Sequence, residues 1–332
     1  MAPQTSPIDW SSGSKSDFVS IGTHSLNLSV SGPSRRPDSP IIILMTGHAS
    51  STLEWAAVIP LITPFARILG YDRSGLGLSQ TKVPPPAITT AVSVAEELSA
   101  LLRNAKIPPP YIMLAHSWGG VLAREFLHLH PSDVVGMVFV DANSEYTFPD
   151  PSTFPYPYMN AVQGSVSYIE ATGLARDTVL SAEQCQAIVE ENAQPGHLQA
   201  EEAEAAGFHG GDFDVLKDKQ QLEMHALGKW PVSVIHANGA RDFQMVYDAG
   251  VAAGNGTAQE RALFRDFIAD CTEHGAIRAR KIMELSSDES LRRFRETKKS
   301  GHNVQLLEPE LIDEEVRWVF GEAMKIIAQQ YG

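Results

Sequence analysis

Ser117 stands in the run Ala115-His116-Ser117-Trp118-Gly119-Gly120, with small residues two places before and two places after it. An unbroken apolar run, 111–115, precedes it, and a stretch with helical spacing, 119–130, follows. A serine on so tight a strand-to-helix turn is set up for chemistry. Large flanking side chains would clash there, the hydroxyl is lifted clear of the backbone, and the helix N-terminus favours an anion developing beside it. To attack a carbonyl, the hydroxyl needs a base that takes its proton. Among eleven histidines, His302 has the best context, Ser300-Gly301-His302-Asn303-Val304. It falls between the last strand-like segment and a closing helix, on a loop that can carry the imidazole to the serine. The pair predicts nucleophilic acyl transfer, with Ser117 as nucleophile and His302 as general base.

The elements that must position these groups can be read from hydrophobic patterning. Segments 41–45, 65–71, 111–115 and 134–140 are short apolar runs, as expected of strands buried on both faces. Between them, 88–104 places Ala91, Val94, Ala95, Leu98, Leu101 and Leu102 on one helical stripe. This alternation predicts an α/β fold, a mostly parallel sheet covered by helices on both faces. Segment 18–30 reads as a hairpin after a loose leader, 1–16. From 146 to 229 the rhythm breaks into loops and acidic helices. It resumes with strand 230–237, a polar helical stretch 257–285, a last strand 291–298 and a closing helix 309–329. The expected organisation is a core of 1–145 and 230–332 carrying a helical cap, 146–229.

Three further strings give these expectations a family. The serine turn resembles the G-x-S-x-G nucleophile elbow of α/β-hydrolases, with Ala115 in place of the first glycine. Tyr71-Asp72-Arg73-Ser74-Gly75-Leu76-Gly77-Leu78-Ser79 is similar to their D-x-x-G-x-G-x-S turn. Thr46-Gly47-His48 is similar to their H-G-x loop, with Thr46 in place of the histidine, and Ser300-Gly301-His302 to the segment that carries their catalytic histidine. The chain is identified by this resemblance as a member of the serine-nucleophile, esterase- or lactonase-like branch of the α/β-hydrolase superfamily. The likeness spans 18–145 and 230–329. It implies an oxyanion hole made by the backbone amides of His48 and Trp118, and a triad acid lying between Ser117 and His302 in the chain. Asp242, after strand 230–237, is the first choice, with Asp248 competing. The alternative is Asp141-Ala142-Asn143-Ser144-Glu145, where Glu145 is the candidate and Asp141 is read as structural. A serine in the place of an aspartate weighs against dehalogenase and epoxide hydrolase activity. The cap aromatics Phe148, Phe154, Tyr156, Tyr158, Tyr168 and Phe208 suggest an apolar roof. The implied reaction is hydrolysis of an ester or lactone of a small, largely apolar molecule. Thioester hydrolysis or acyl transfer with the same triad, a lyase, and a ligand-binding receptor on the same fold are the alternatives.

Composition narrows the partners. The 332 residues are 43% apolar and 20% charged, ordinary for a globular protein, and the formal net charge is −14. Such an acidic chain repels nucleic acid and anionic membrane. The Gly75-x-Gly77 string lacks the third, helix-opening glycine of a dinucleotide loop. His128 and His130 have no ligand at useful spacing, so neither a metal nor a cofactor is expected. Cys185 and Cys271 read as free thiols, and no secretory signal, membrane span or lipidation motif is recognisable, so a cytoplasmic location is expected. A small-molecule substrate is the expected partner; oligomeric state is not legible.

Overall fold

The computed structural model describes residues 8–297 and 299–331. The first seven residues of the leader, Lys298 at the end of the expected last strand, and Gly332 lie outside the described residues. Eight strands form one sheet: β1 (Lys15–Ser20), β2 (Ser25–Ser31), β3 (Ile41–Met45), β4 (Arg67–Tyr71), β5 (Tyr111–His116), β6 (Val134–Val140), β7 (Val232–His236) and β8 (Arg292–Glu296). Their order is β1-β2-β4-β3-β5-β6-β7-β8. Strands β3 to β8 are mutually parallel, and β2 joins β4 antiparallel, so the hairpin β1–β2 closes one end.

Unbroken apolar strands follow from burial on both faces. Ile41, Ile43 and Met45 of β3 pack with the helices Ala91–Ala105 and Gly119–Leu129 on one side. Ile42 and Leu44 pack on the other, with Ile312, Val316, Val319 and Ala323 of the C-terminal helix Pro309–Tyr331. Strand β8, RRFRE, shows no such run because it is an edge strand: Arg293 and Arg295 leave the sheet to pair with Glu315, and Arg295 also reaches Glu314.

Two helical excursions interrupt the core. The one between β6 and β7 includes helices Pro157–Gln163, Ala182–Asn192, Pro195–His209 and Asp212–Asp218, with no strand among its described residues. The other, between β7 and β8, contains the helices Gly239–Ala252 and Ala258–Arg280. They are not independent. Tyr156, Met159 and Val162 of the first bury against Tyr247, Phe264, Phe267 and Ile268 of the second. The first helix of the second excursion begins directly after β7, because the Asn238 side chain accepts a hydrogen bond from the Arg241 amide and caps it.

Candidate active site

Residues 46–51 follow β3, Ser117 follows β5, Asp141 follows β6, and the His302 loop follows β8. The parallel strands bring these four points to one edge of the sheet, at their C-terminal ends. Ser117 has φ 54°, the left-handed region that a non-glycine residue rarely occupies. The sharp turn is held from both sides: the Ser117 amide donates to the Val140 carbonyl (3.3 Å), and the Ser117 carbonyl accepts from the Asn143 amide (2.8 Å). The glycine two places on is forced by packing, since a Cβ at Gly119 would lie 2.1 Å from the Met45 carbonyl oxygen.

His302 Nε2 lies 2.9 Å from Ser117 Oγ, and His302 Nδ1 lies 2.7 Å from Asp141 Oδ2. A carboxylate only accepts, so Nδ1 carries the hydrogen and Nε2 is left to accept from the serine hydroxyl. Asp141 stands at φ 40°, and its other oxygen accepts the Ala237 amide (3.0 Å). Burial disfavours both charges of this pair. The hydrogen bond and charge of His302, with help from His236 and the Ala237 amide, outweigh it and hold the Asp141 carboxyl below the ordinary range. For His302 the hydrogen bond and charge of Asp141, with Asp242 and Glu54 behind, outweigh burial and raise the imidazole above its ordinary 6.5. His116, beside the serine, is driven down to about 3, chiefly by burial, and is neutral; its Nε2–H donates to the His302 carbonyl (2.9 Å).

The acid position corrects the sequence reading. Asp242 does not touch the imidazole. The Asn238 cap places it in the first turn of a helix, where Oδ2 accepts from the His302 amide (3.0 Å) and the Tyr168 hydroxyl (2.7 Å), while Oδ1 accepts from Arg241 Nη1 (2.8 Å). The carboxylate lies so close to the loop that a Cβ at Gly301 would sit 1.9 Å from it. Asp248 is exposed and accepts from Gln244. Glu145 turns away to a buried ion pair with Arg124 of the helix Gly119–Leu129. Asp141, read as structural, is the carboxylate on the histidine.

Trp118 follows Ser117 in the chain, and the loop before His48 runs against the serine, a Cβ at Gly47 lying 3.0 Å from Ser117 Cβ. Neither the His48 nor the Trp118 amide is bonded to another protein group among the described residues. Thr46, in place of the family's histidine, supplies its own bonds: Oγ1 donates to the Ser50 carbonyl (2.7 Å) and accepts from Arg73 Nη1 (2.6 Å). The glycine-rich turn after β4 is tied by Asp72, which accepts from Thr52 and the Leu78 amide. His130 bonds Ser99 and faces Asp133, as a structural histidine does.

A cavity of about 870 Å³ opens over Ser117, Asp141 and His302. Phe148, Phe154, Tyr168 and Phe208 of the first excursion and Phe243 of the second line it. Tyr156 and Tyr158 do not; they pack between the two excursions. Cys271 also faces the cavity, but burial pushes its thiol up to about 12, so it carries no thiolate at neutral pH. Cys185 and Cys271 are both free thiols. Among the described residues, no helix is long and apolar enough to cross a membrane. Sequence reading missed Arg73 and Glu204, the buried ion pair beside the oxyanion loop. The arginine stood in the recognised turn, whereas nothing around Glu204 distinguishes it from the other acids of its helix.

The chain belongs to the α/β-hydrolase superfamily. A family model for the alpha/beta hydrolase fold matches residues 40–171. An AB hydrolase superfamily protein of Gibberella zeae is 33% identical over 300 residues, covering 88% of this chain and 90% of that one. A Hormonema carpetanum protein named "Probable transporter efuK" is 30% identical over 312 residues; the match takes in 93% of this chain but 43% of that protein. Solved structures similar in fold include the epoxide hydrolase CorEH (TM-score 0.60, 16% identity, covering 93% of this chain and 99% of that one) and an esterase from Thermogutta terrifontis (TM-score 0.57, 14% identity, covering 93% and 99%). The fold and these relatives place the chain among proteins of the α/β-hydrolase fold.

Proposed function

We propose that the protein is a serine hydrolase that cleaves an ester or lactone of a small, largely apolar molecule through an acyl-enzyme. The observation that carries this reading is the continuous hydrogen-bonded line Ser117–His302–Asp141 beneath the cavity. His302 Nε2 takes the Ser117 proton as Oγ forms its bond to the substrate carbonyl carbon. Asp141 stabilises the resulting imidazolium and keeps the ring in the productive tautomer. The His48 and Trp118 amides face the oxyanion. Collapse of the tetrahedral adduct breaks the bond to the leaving oxygen, which takes the proton from Nε2. Water then attacks the acyl-enzyme, giving its proton to His302, and the acid product leaves with Ser117 restored. The protonated Cys271 thiol is no rival nucleophile. In this reading 146–229 is the cap. Its phenyl groups, joined by Phe243, exclude water and bury the apolar part of the substrate.

The test is incubation with a fluorophosphonate probe followed by peptide mapping. Label is expected on Ser117, and Ser117→Ala is expected to fold as wild type and lose turnover of p-nitrophenyl esters by orders of magnitude. Label on another serine with none on Ser117 would overturn the proposal.

A further inference from the structure

Arg73 and Glu204 form a buried ion pair, Nε to Oε1 2.6 Å and Nη2 to Oε2 2.9 Å, with side chains 3% and 2% exposed. They come from different parts of the molecule. Arg73 belongs to the turn after β4, and Glu204 to the helix Pro195–His209 of the first excursion. Both also bond the loop after β3. Arg73 Nη2 donates to the Gly47 carbonyl (2.7 Å) and Nη1 to the Thr46 carbonyl (3.1 Å). Glu204 Oε2 accepts from the Ala49 amide (2.8 Å).

The Gly47 carbonyl and the His48 amide are the two ends of one peptide unit. In a trans peptide they point in opposite directions. A guanidinium fixed on that carbonyl therefore fixes the direction of the His48 N–H, and its positive charge polarises the unit so that the N–H is a stronger donor. The following peptide is fixed by Glu204 through the Ala49 amide. Ala49 stands at φ 51°, so this second peptide is held in a turn that the chain does not favour by itself. Arg73 also lies over the indole of Trp118, 5.5 Å from the ring centroid, and so bears on the side chain of one oxyanion donor and on the carbonyl of the peptide that carries the other. His48 in turn donates from Nε2 to the Glu201 carbonyl of the same helix (3.1 Å).

We infer that Glu204, a residue of the cap, is a positioning residue for catalysis: with Arg73 it aims the His48 amide at the oxyanion. The inference rests on the serine hydrolase reading. It makes the helix Pro195–His209 part of the catalytic apparatus, whereas the phenyl groups of the roof select the ligand.

Removing one member would strand a buried charge and risk the fold, so the decisive variant is the double replacement Arg73→Met with Glu204→Leu, which removes both charges together. Folded enzyme is counted by complete fluorophosphonate labelling at Ser117. Turnover of p-nitrophenyl acetate and of a p-nitrophenyl ester with a bulky acyl group is then measured per labelled site. Inhibition by phenylboronic acid, which forms a tetrahedral adduct on the serine, is measured alongside. The double variant should lose about 10²-fold in kcat on both esters with KM nearly unchanged, and bind phenylboronic acid correspondingly more weakly. Glu204→Gln, where it folds, should fall between it and wild type. Double-variant sites that turn over and bind the boronate as wild type does would overturn the inference, and so would a loss confined to KM of the bulky ester. Wild type that takes no label at Ser117 would overturn the serine hydrolase reading, and this inference with it.

Discussion

Replacing Asp141 and Asp242 by asparagine, one at a time, separates the two carboxylates nearest His302. In Asp141→Asn, the Ala237 amide sits 3.0 Å from Oδ1 and needs an acceptor there, so the amide oxygen of the new residue takes that place. Its NH2 group then faces His302 Nδ1 across the 2.7 Å contact and needs an acceptor in turn. The imidazole must shift its hydrogen to Nε2, the atom that should accept from Ser117. The base is lost although the shape is kept. A loss of about 10⁴ in kcat/KM is expected, about 5.5 kcal/mol of transition-state stabilisation. In Asp242→Asn the constraint works the other way. The oxygen can remain at the Oδ2 position, where it still accepts from the His302 amide and Tyr168, and the NH2 faces Arg241, whose side chain is 28% exposed and can turn to solvent. That variant should stay within about tenfold of wild type, about 1.4 kcal/mol. The assay is kcat/KM for a p-nitrophenyl ester per fluorophosphonate-labelled site, across pH. The general base must be neutral, so wild-type activity falls as pH drops through the His302 pKa, which is raised above 6.5. Without the Asp141 charge that acid limb should move to lower pH. An Asp141→Asn enzyme within tenfold of wild type, or an Asp242→Asn enzyme more damaged than it, would refute the assignment.

Other outcomes follow from the same contacts. Glu145→Gln breaks a pair whose side chains are 0% and 2% exposed, so it should lower stability by about 3–5 kcal/mol in denaturant melts while leaving kcat per labelled site unchanged. Phe154→Ala and Phe208→Ala, on the cavity wall, should change the ratio of kcat/KM between bulky and small esters. Tyr156→Ala, buried between the two excursions, should instead lower the melting temperature. Gly119→Ala should give no soluble folded protein on expression, because the added methyl has nowhere to go but into the Met45 carbonyl.

The sheet, the serine and the histidine were legible because each depends on local pattern. Short apolar runs such as Ile41–Met45, bounded by Pro40 and by the Thr46-Gly47 turn, fit strands buried on both faces, and Ser117 needs small neighbours whatever lies elsewhere in the chain. The acid was not legible, since Asp141 and Asp242 both follow apolar strands and both end within reach of His302. What separates them is one helix cap. Asn238 starts a helix immediately after β7 and thereby swings Asp242 onto the His302 backbone instead of its ring. Asn238-Gly239-Ala240-Arg241 carries that capping signal, which placing Asp242 simply after the strand did not take into account. Glu145 misled for a different reason: its partner, Arg124, is one of two charged residues, with Glu125, buried on a helix whose other buried residues are apolar, so no periodicity announces the pair. The second excursion was seen only as a polar helical stretch, because its aromatic face is completed by residues a hundred positions earlier.

The Arg73–Glu204 pair limits how freely such a protein can be rebuilt. With 146–229 read as a cap, one charge belongs to the core and the other to the roof, and each alone would be buried without a counter-charge. A roof grafted from a relative that lacks a carboxylate at this position would strand Arg73 and leave the Ala49 amide without its acceptor, whatever its fit to the new ligand. A graft would have to carry Glu204 with it or replace Arg73 at the same time.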